Sequence, residues 1–525
     1  MDSLKVPLTT LDGVVVAVYL VCLMGVGAWL GFSRRGGGDQ FLGGRTLRWP
    51  SIGLSIFATN IGPFFLIASC GAAYRTGMVT ANYEWLAWWF LLILGMLFVP
   101  YYLGTRISTM PQFLRVRFGP GAREFLSWYA LFTTFVLWIG TMLFAGGKLF
   151  SQMAGWPLWA SLLLLTAIAT GVTIAGGLRA VVITDALQAL LMIGGSATLA
   201  ILSVRAVGGP GALADALPDG YLTLFRPADD PDYPWPAILL GYPVLGIWFW
   251  CTDQTIVQRA LGARDLRHAQ LGTVFAGFLK ILPPFIFLVP GMACFVLHPE
   301  LSDPDQAFVT MVANYLPAGM TGLILGVLIA ALITTLDSGL NSFSTVFTLD
   351  IYTRWLRPEA ADRELNLAGR VCTLSVAALA VLLALLLAQV ETNLFDLAQS
   401  IIAYMSPPMA AVFLIGVLWR RATAAAALTT LIGGSVVCVG IGVWDLAEMP
   451  GADSFPHFMM MAFLLFATCV AVMVFVSLAT KHSPQEQPLP TLREIGPRKA
   501  GRKRTVPLLW GTLAVIMLGL YLFFN

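Results

Sequence analysis

From residue 10 to residue 524 the chain repeats one unit: an apolar run of about twenty residues, then a polar interval. In hydrocarbon, backbone N–H and C=O groups find no water. A run of this length must satisfy them internally, and it does so as an α-helix. Hydrophobic residues make up 58% of the chain and charged residues only 11%, which excludes a water-soluble fold. Fourteen such runs can be placed, so the expected fold class is an all-α polytopic membrane protein. One of them, over 310–350, is longer than a perpendicular crossing needs and must tilt or project beyond the bilayer. The first run follows an ordinary polar start without a small-residue cleavage pattern, so no removable signal is expected.

Charge sets the orientation. When alternate loops are assigned to the cytoplasm, starting after the first span, most of the 31 lysines and arginines fall there. Arg34, Arg35, Arg115, Arg117, Arg123, Arg259, Arg264, Arg354 and Arg357 are among them. The opposite loops are acidic, as in ADDPDYPWP (228–236). The positive-inside rule then places both termini outside. A linker over 481–505, rich in Pro, Lys and Arg, is expected to lie at the anionic inner surface of the lipid bilayer. The seven cysteines stand singly without CxxC spacing, and the four histidines fall in or beside loops. Neither a disulfide framework, a thiolate metal site nor a His-based catalytic centre is indicated. The chain reads as neither an enzyme nor a nucleic-acid binder, and no cofactor is expected.

Polar residues interrupt the pattern at defined places. The stretch ALITTLDSGLNSFSTVFTLDIY (331–352) continues an apolar run, yet carries Thr334, Thr335, Asp337, Ser338, Asn341, Thr345 and Thr348. At about 100° per residue, most of these share roughly a third of the helix circumference. Such a face suits a hard cation, which takes oxygen ligands. The structural alternative is that the hydroxyls bond back to their own helix and join helices together. Two spans contain breakers: Gly62 and Pro63 in the first, Pro243 and Gly246 in the second. Broken helices in corresponding positions of two halves are how secondary transporters build sites at the midplane. Glu84, Asp185, Asp253, Lys280, Asp337, Asp396 and Gln399 fall within or at the ends of spans. With no nucleophile–base arrangement among them, they fit a solute pathway better than an enzyme site. Asp253 and Asp396 also read as end residues reaching the interface, and Glu84 with Lys280 as a buried structural pair.

These segments resemble a known family. GGLRAVVITDALQALLMIGG (176–195) is similar to the signature of the sodium:solute symporter family. WFWCTDQTIVQRAL (248–261), GFLKILPPFIFLVPGM (277–292), LNSFSTVFTLDIY (340–352), FLGGRTLRWP (41–50), NYEW (82–85) and FDLAQSIIAYMSPP (395–408) resemble its sodium–glucose cotransporter branch. The resemblance implies a LeuT-like core of inverted five-helix repeats. The repeats would occupy 51–205 and 237–421, joined by an outer loop over 206–236. An extra helix and inner loop over 1–50 would precede them, and three helices over 422–525 would follow. The implied activity is sodium-coupled secondary active import of a sugar or polyol-like solute, with sodium as coupling ion, in the plasma membrane.

Residue by residue, the resemblance implies a sodium site made by the carbonyls of Ala58, Ile61 and Ala331 and the hydroxyls of Thr334 and Thr335. It places Asn60, Glu84, Lys280 and Gln399 at the substrate, a set that can accept and donate to hydroxyl groups. Trp248, Phe249 and Trp250 fall where the family has an aromatic platform and inner gate. Three positions depart from the pattern. Phe65 stands where sugar transporters have His or Gln, and Phe249 where they have a gating Tyr, which leaves room for a less polar solute or an inositol. Asp337 replaces a hydroxyl residue beside Asp185 and Ser338. Two carboxylates sharing a site repel, so the three residues are expected to bind a second cation, or a proton in its place. The competing functions are symport of an organic acid or amino acid, and a membrane sensor built on the same fold.

Overall fold

The computed structural model describes residues 9–32, 41–389, 394–481 and 505–525. The linker expected over 481–505 lies outside the described residues apart from its two ends, as do Arg34, Arg35 and the side chain of Asp396. Among the described residues, regular structure is helical, with two isolated β-bridges, Leu47 to Ala263 and Arg226 to Pro234. Eleven helices among the described residues are long and apolar enough to cross a membrane, and two shorter apolar ones, Thr10–Val26 and Leu158–Ile174, accompany them.

Helix α1 (Thr10–Phe32) precedes α2 (Trp49–Asn60) and α3 (Pro63–Thr76), the two halves of one interrupted span. Between them Ile61 (φ −88°, ψ 79°) and Gly62 (φ −79°, ψ 166°) leave helical geometry. Pro63 then opens α3 at a position where its missing N–H would have had no helical partner. Next come α4 (82–104), α5 (Met110–Phe118) and α6 (120–154). Gly177, at φ 56° and ψ −161°, divides the 50-residue run Leu158–Val207 into α7 (158–176) and α8 (Gly177–Val207).

The second interrupted span breaks later than its prolines imply. Helix α9 (Trp235–Thr252) runs straight through Pro243 and Gly246 and widens into a π turn over Ile247–Thr252. The break falls at Asp253 (φ −70°, ψ 131°), whose carboxylate accepts from the Thr255 N–H at 2.8 Å and so caps α10 (Gln254–Leu261). Asp253 is therefore a buried cap rather than an interfacial end residue. Helix α11 (Leu266–Leu297) follows. The single element expected over 310–350 is two: α12 (Ala307–Tyr315) and α13 (Met320–Leu356). Extended Leu316 and Gly319 at φ 88° separate them, with Pro317 between. The chain ends with α14 (Asp362–Leu387), α15 (Leu394–Leu418), α16 (Ala424–Leu446), α17 (Phe458–Ala479) and α18 (Thr505–Phe523).

Helix α13 is the axis of the fold: every residue from Ile324 to Ser342 is buried. It packs on α8, α2, α6, α14 and α1. Asp12 of α1 holds its start, accepting from the N–H groups of Gly319 at 2.9 Å and Gly322 at 2.6 Å. These are donors that the first turn of a helix cannot satisfy itself. Large apolar side chains turn outward on the peripheral helices, Phe475 and Val515 among them, which is the reverse of a soluble surface.

Close helix contacts are made through glycine. A Cβ on Gly291 of α11 would stand 2.0 Å from the Cys70 carbonyl oxygen of α3, whereas one on Gly440 of α16 would meet nothing. Gly291→Ala is therefore expected to lower the thermal unfolding midpoint of the detergent-purified protein, by an overpacking cost of about 1–3 kcal/mol. Gly440→Ala should leave it unchanged or raise it. Equal midpoints for the two variants would contradict this packing.

Candidate functional site

The break between α2 and α3 lies against the middle of α13. The Thr334 hydroxyl is 3.2 Å from the Ala58 carbonyl and 3.0 Å from that of Ala331; the Thr335 hydroxyl donates to Ala331 at 2.9 Å. The hydroxyls thus bond within their own helix, and Thr334 also reaches across to the break. Ile61 is buried at the break itself, its N–H directed to the Ala58 and Phe57 carbonyls. Gly62 abuts Thr335: a Cβ there would come within 3.3 Å of the Thr335 hydroxyl. Ala58, Ala331, Thr334 and Thr335 so form one oxygen-rich cluster, with Ile61 beside it. Unwound carbonyls facing hydroxyls are a donor set that suits a sodium ion.

One turn along α13 is a second cluster. Asp185 of α8 accepts from Ser55 of α2 at 2.6 Å, and the Thr59 and Ser338 hydroxyls are 3.1 Å apart. Asp337 is fully buried, its Oδ1 3.4 Å from the Ser338 hydroxyl. Between these groups sits Arg259 of α10, also fully buried. Its guanidinium is 3.4 Å from Asp185 Oδ2, donates to Ser55 at 3.1 Å, and donates further to Ser338 and the Thr255 carbonyl. Arg259 is thus no loop residue, and it leaves the set of basic residues that orient the chain. The guanidinium pairs with Asp185, Asp337 lies buried beside them, and Asp185 Oδ1 and Asp337 Oδ2 have no hydrogen-bond partner among the described residues.

Sequence reasoning missed Arg259 because a basic residue after a broken span reads as a loop residue. The available signal was spacing: Thr255 and Arg259 are one turn apart on a short helix whose residues are all buried.

Next to the first cluster is a cavity of about 150 Å³. Asn60, Phe65, Glu84, Phe249 and Gln399 all line it, and so does Thr335. Lys280 lies behind this wall instead of on it. Its ammonium is 2.5 Å from Glu84 Oε2, also donates to Asn60 Oδ1, and sits 4.8 Å from the Trp250 ring centroid. The buried cation is fully paired, and Glu84 keeps its second oxygen for the cavity. Phe249 packs on Trp138 at 5.2 Å and Trp250 at 4.7 Å, forming an aromatic wall, and Phe65 packs edge-on against Phe287. Trp85, beside Glu84, donates to the Ile281 carbonyl beside Lys280 at 3.3 Å, which ties the two turns together.

The sodium:solute symporter family model matches residues 40–434. Sodium/glucose cotransporter 4 of Danio rerio is 35% identical over 532 residues, covering 92% of this chain and 80% of its own length. The chain belongs to the sodium:solute symporter family. Sodium/glucose cotransporter 1 of Oryctolagus cuniculus is 33% identical over 526 residues, covering 90% of the symporter and 79% of its own length. A Na+-coupled sialic acid symporter, solved substrate-bound and outward-open, superposes with a TM-score of 0.81 at 21% identity, over 91% of this chain and 99% of that one. The fold is shared with that protein. This symporter is accordingly a multi-pass protein of the plasma membrane that couples sodium to solute movement.

Breaking the Lys280–Glu84 pair from one side strands a buried charge, which costs about 3–5 kcal/mol. Lys280→Ala is expected to lower the unfolding midpoint of the purified symporter sharply. The double variant Glu84→Gln with Lys280→Met should recover most of it while uptake stays lost. If the double variant is as unstable as the single one, the pair is not the source of the effect.

Proposed function

We propose that the symporter imports an uncharged sugar or polyol-like solute, driven by sodium moving in the same direction. The observation that carries this reading is the shared wall. Thr335 belongs to the oxygen cluster of Ala58, Ala331 and Thr334 and also lines the cavity of Asn60, Glu84 and Gln399. Sodium held by Ala58, Ile61, Ala331, Thr334 and Thr335 would draw the broken helix onto α13 and complete the cavity. Each ligand then favours the same arrangement, which is what coupling requires. The relatives' names support the solute class, since they are sodium/glucose cotransporters at 33–35% identity.

The same reading takes the chain as fourteen spans with both termini outside and as a transporter without catalytic activity. Its LeuT-like inverted repeats are 51–205 and 237–421. The interrupted spans α2–α3 and α9–α10 support that division, since each opens one repeat. An organic acid or amino acid fits the cavity less well: Lys280 is committed to Glu84 and Asn60, so no unpaired cation is offered to a carboxylate among the described lining residues.

Asp185, Asp337 and Ser338 form the candidate site for a second cation, or for a proton in its place. Their support is the imbalance of two carboxylates against one guanidinium, with two buried oxygens that have no partner among the described residues. The solved sialic acid symporter is itself described as having a novel Na+ site.

Uptake of labelled sugars, polyols and acids into proteoliposomes, with and without a sodium gradient, tests the function; sodium-driven uptake of acids alone would overturn it. Thr334→Ala and Thr335→Ala should raise the sodium concentration for half-maximal uptake several-fold. Asp337→Ser should change the sodium Hill coefficient or the pH profile of uptake. Identity with the wild type in both measurements would remove Asp337 from the coupling site.

A further inference from the structure

The cavity's hydrogen-bonding capacity narrows the solute further, on the reading that this cavity binds a sugar. Most polar groups around it already have partners. The Thr59 hydroxyl is 3.1 Å from Ser338, Trp138 Nε1 donates to Asp253 at 3.2 Å, and Thr335 donates to Ala331 at 2.9 Å. Tyr242 donates to the Tyr83 carbonyl, and the Trp250 and Trp248 rings lie beside the Tyr242 and Tyr129 hydroxyls. Asn60 Oδ1 and Glu84 Oε2 hold Lys280. Among the described residues, the groups with most of their capacity uncommitted are the Asn60 amide nitrogen, the second Glu84 oxygen and the Gln399 amide.

These three stand on α2, α4 and α15. The walls from α3, α6 and α9 present Phe65, Leu137, Met142, Leu245 and Phe249, which offer no strong hydrogen bond. The cavity is therefore polar toward one set of helices and apolar toward another. A fully hydroxylated hexose has hydroxyl groups around its whole edge. Each one that leaves water to face Phe65 or Phe249 without a partner weakens binding by about 5- to 150-fold. A carbon bearing hydrogen or a methyl group there carries no such penalty and buries apolar surface instead. The indole and phenyl walls add a platform for the C–H face of a ring.

We propose that the preferred solute is an uncharged deoxy monosaccharide, hydroxylated along the edge met by Asn60, Glu84 and Gln399 and lacking hydroxyl on the edge met by Phe65 and Phe249. Sodium-driven uptake into proteoliposomes decides it, with D-glucose, 2-deoxy-D-glucose, 6-deoxy-D-glucose, L-fucose, L-rhamnose, myo-inositol and D-glucuronate compared on the wild type. At least one deoxy sugar should show a KM about 5-fold or more below that of D-glucose. Phe249→Tyr and Phe65→Gln, each of which adds a hydrogen-bonding group, should narrow that gap by lowering the KM for D-glucose. D-glucose or myo-inositol preferred over every deoxy sugar would overturn the inference and leave the sugar reading intact. Sodium-driven uptake of D-glucuronate alone, or of nothing in the panel, would overturn the sugar reading and the inference with it.

Discussion

A helix interrupted inside a bilayer leaves carbonyl and amide groups that lipid cannot satisfy, and the rest of this structure depends on how α13 answers that need. Ala58 to Gly62 would be untenable against hydrocarbon. Against α13 they meet Thr334 and Thr335, and the Ala58 carbonyl gains a hydroxyl partner at 3.2 Å. The requirement explains why α13 is buried on all sides from Ile324 to Ser342 and why so many hydroxyl residues occur in an otherwise apolar helix. It also explains why Asp12 of α1 fixes the start of α13: an axis that supports a broken helix has to be held in register.

Two buried charge clusters flank this contact, and they differ in balance. Lys280 and Glu84 are one cation and one anion, with Asn60 sharing the ammonium. Their cavity presents little net charge and suits a neutral solute. Arg259 pairs with Asp185 while Asp337 is buried beside them, so this cluster holds one carboxylate more than it has cations and calls for a second cation or a proton. Both clusters touch α2, through Asn60 in one case and Ser55 and Thr59 in the other. A neutral solute and a cation can therefore act on the same short helix without competing for the same groups.

How legible this was in the sequence follows from the range of each interaction. The all-helical class and the hydroxyl face of α13 were readable because each depends on local composition and spacing, and the family because whole segments resemble its motifs. Glu84 and Gln399 stood out as polar residues within spans, but their meeting with Asn60 was readable only through resemblance, since nothing within their own helices shows that α2, α4 and α15 converge. The second break was misplaced for a physical reason: Pro243 removes one hydrogen bond, and a helix in lipid tolerates that loss by widening, whereas Asp253 supplies a competing cap that ends it. Arg259 escaped because its burial is a tertiary event; only the two acids brought to it by α8 and α13 make a charged side chain tenable there. The buried pairing of Lys280 with Glu84 was one of two readings the sequence offered, and the structure shows it; that the ammonium stays behind the cavity wall is set by packing between helices.

The periphery takes part in the same argument. Trp85, fully buried beside Glu84, is packed by Tyr521 and Phe524 from the end of α18, with ring centroids 6.0 Å and 5.6 Å away. The Tyr521 hydroxyl donates to Asn82 Oδ1 at 2.9 Å, the Asn82 amide donates to the Leu224 carbonyl at 2.6 Å, and the Leu224 N–H donates to the Phe524 carbonyl at 3.2 Å. The circuit closes the loop over 206–236, the start of α4 and the end of α18 around one indole ring. Because that ring's Nε1 is bonded to the residue after Lys280, the relation between Glu84 and Lys280 is held by aromatic packing outside the two interrupted spans. The Glu84–Lys280 pair is thus braced from outside the two interrupted spans, so in the proposed cycle α2 would shift against α13 without first breaking a buried ion pair.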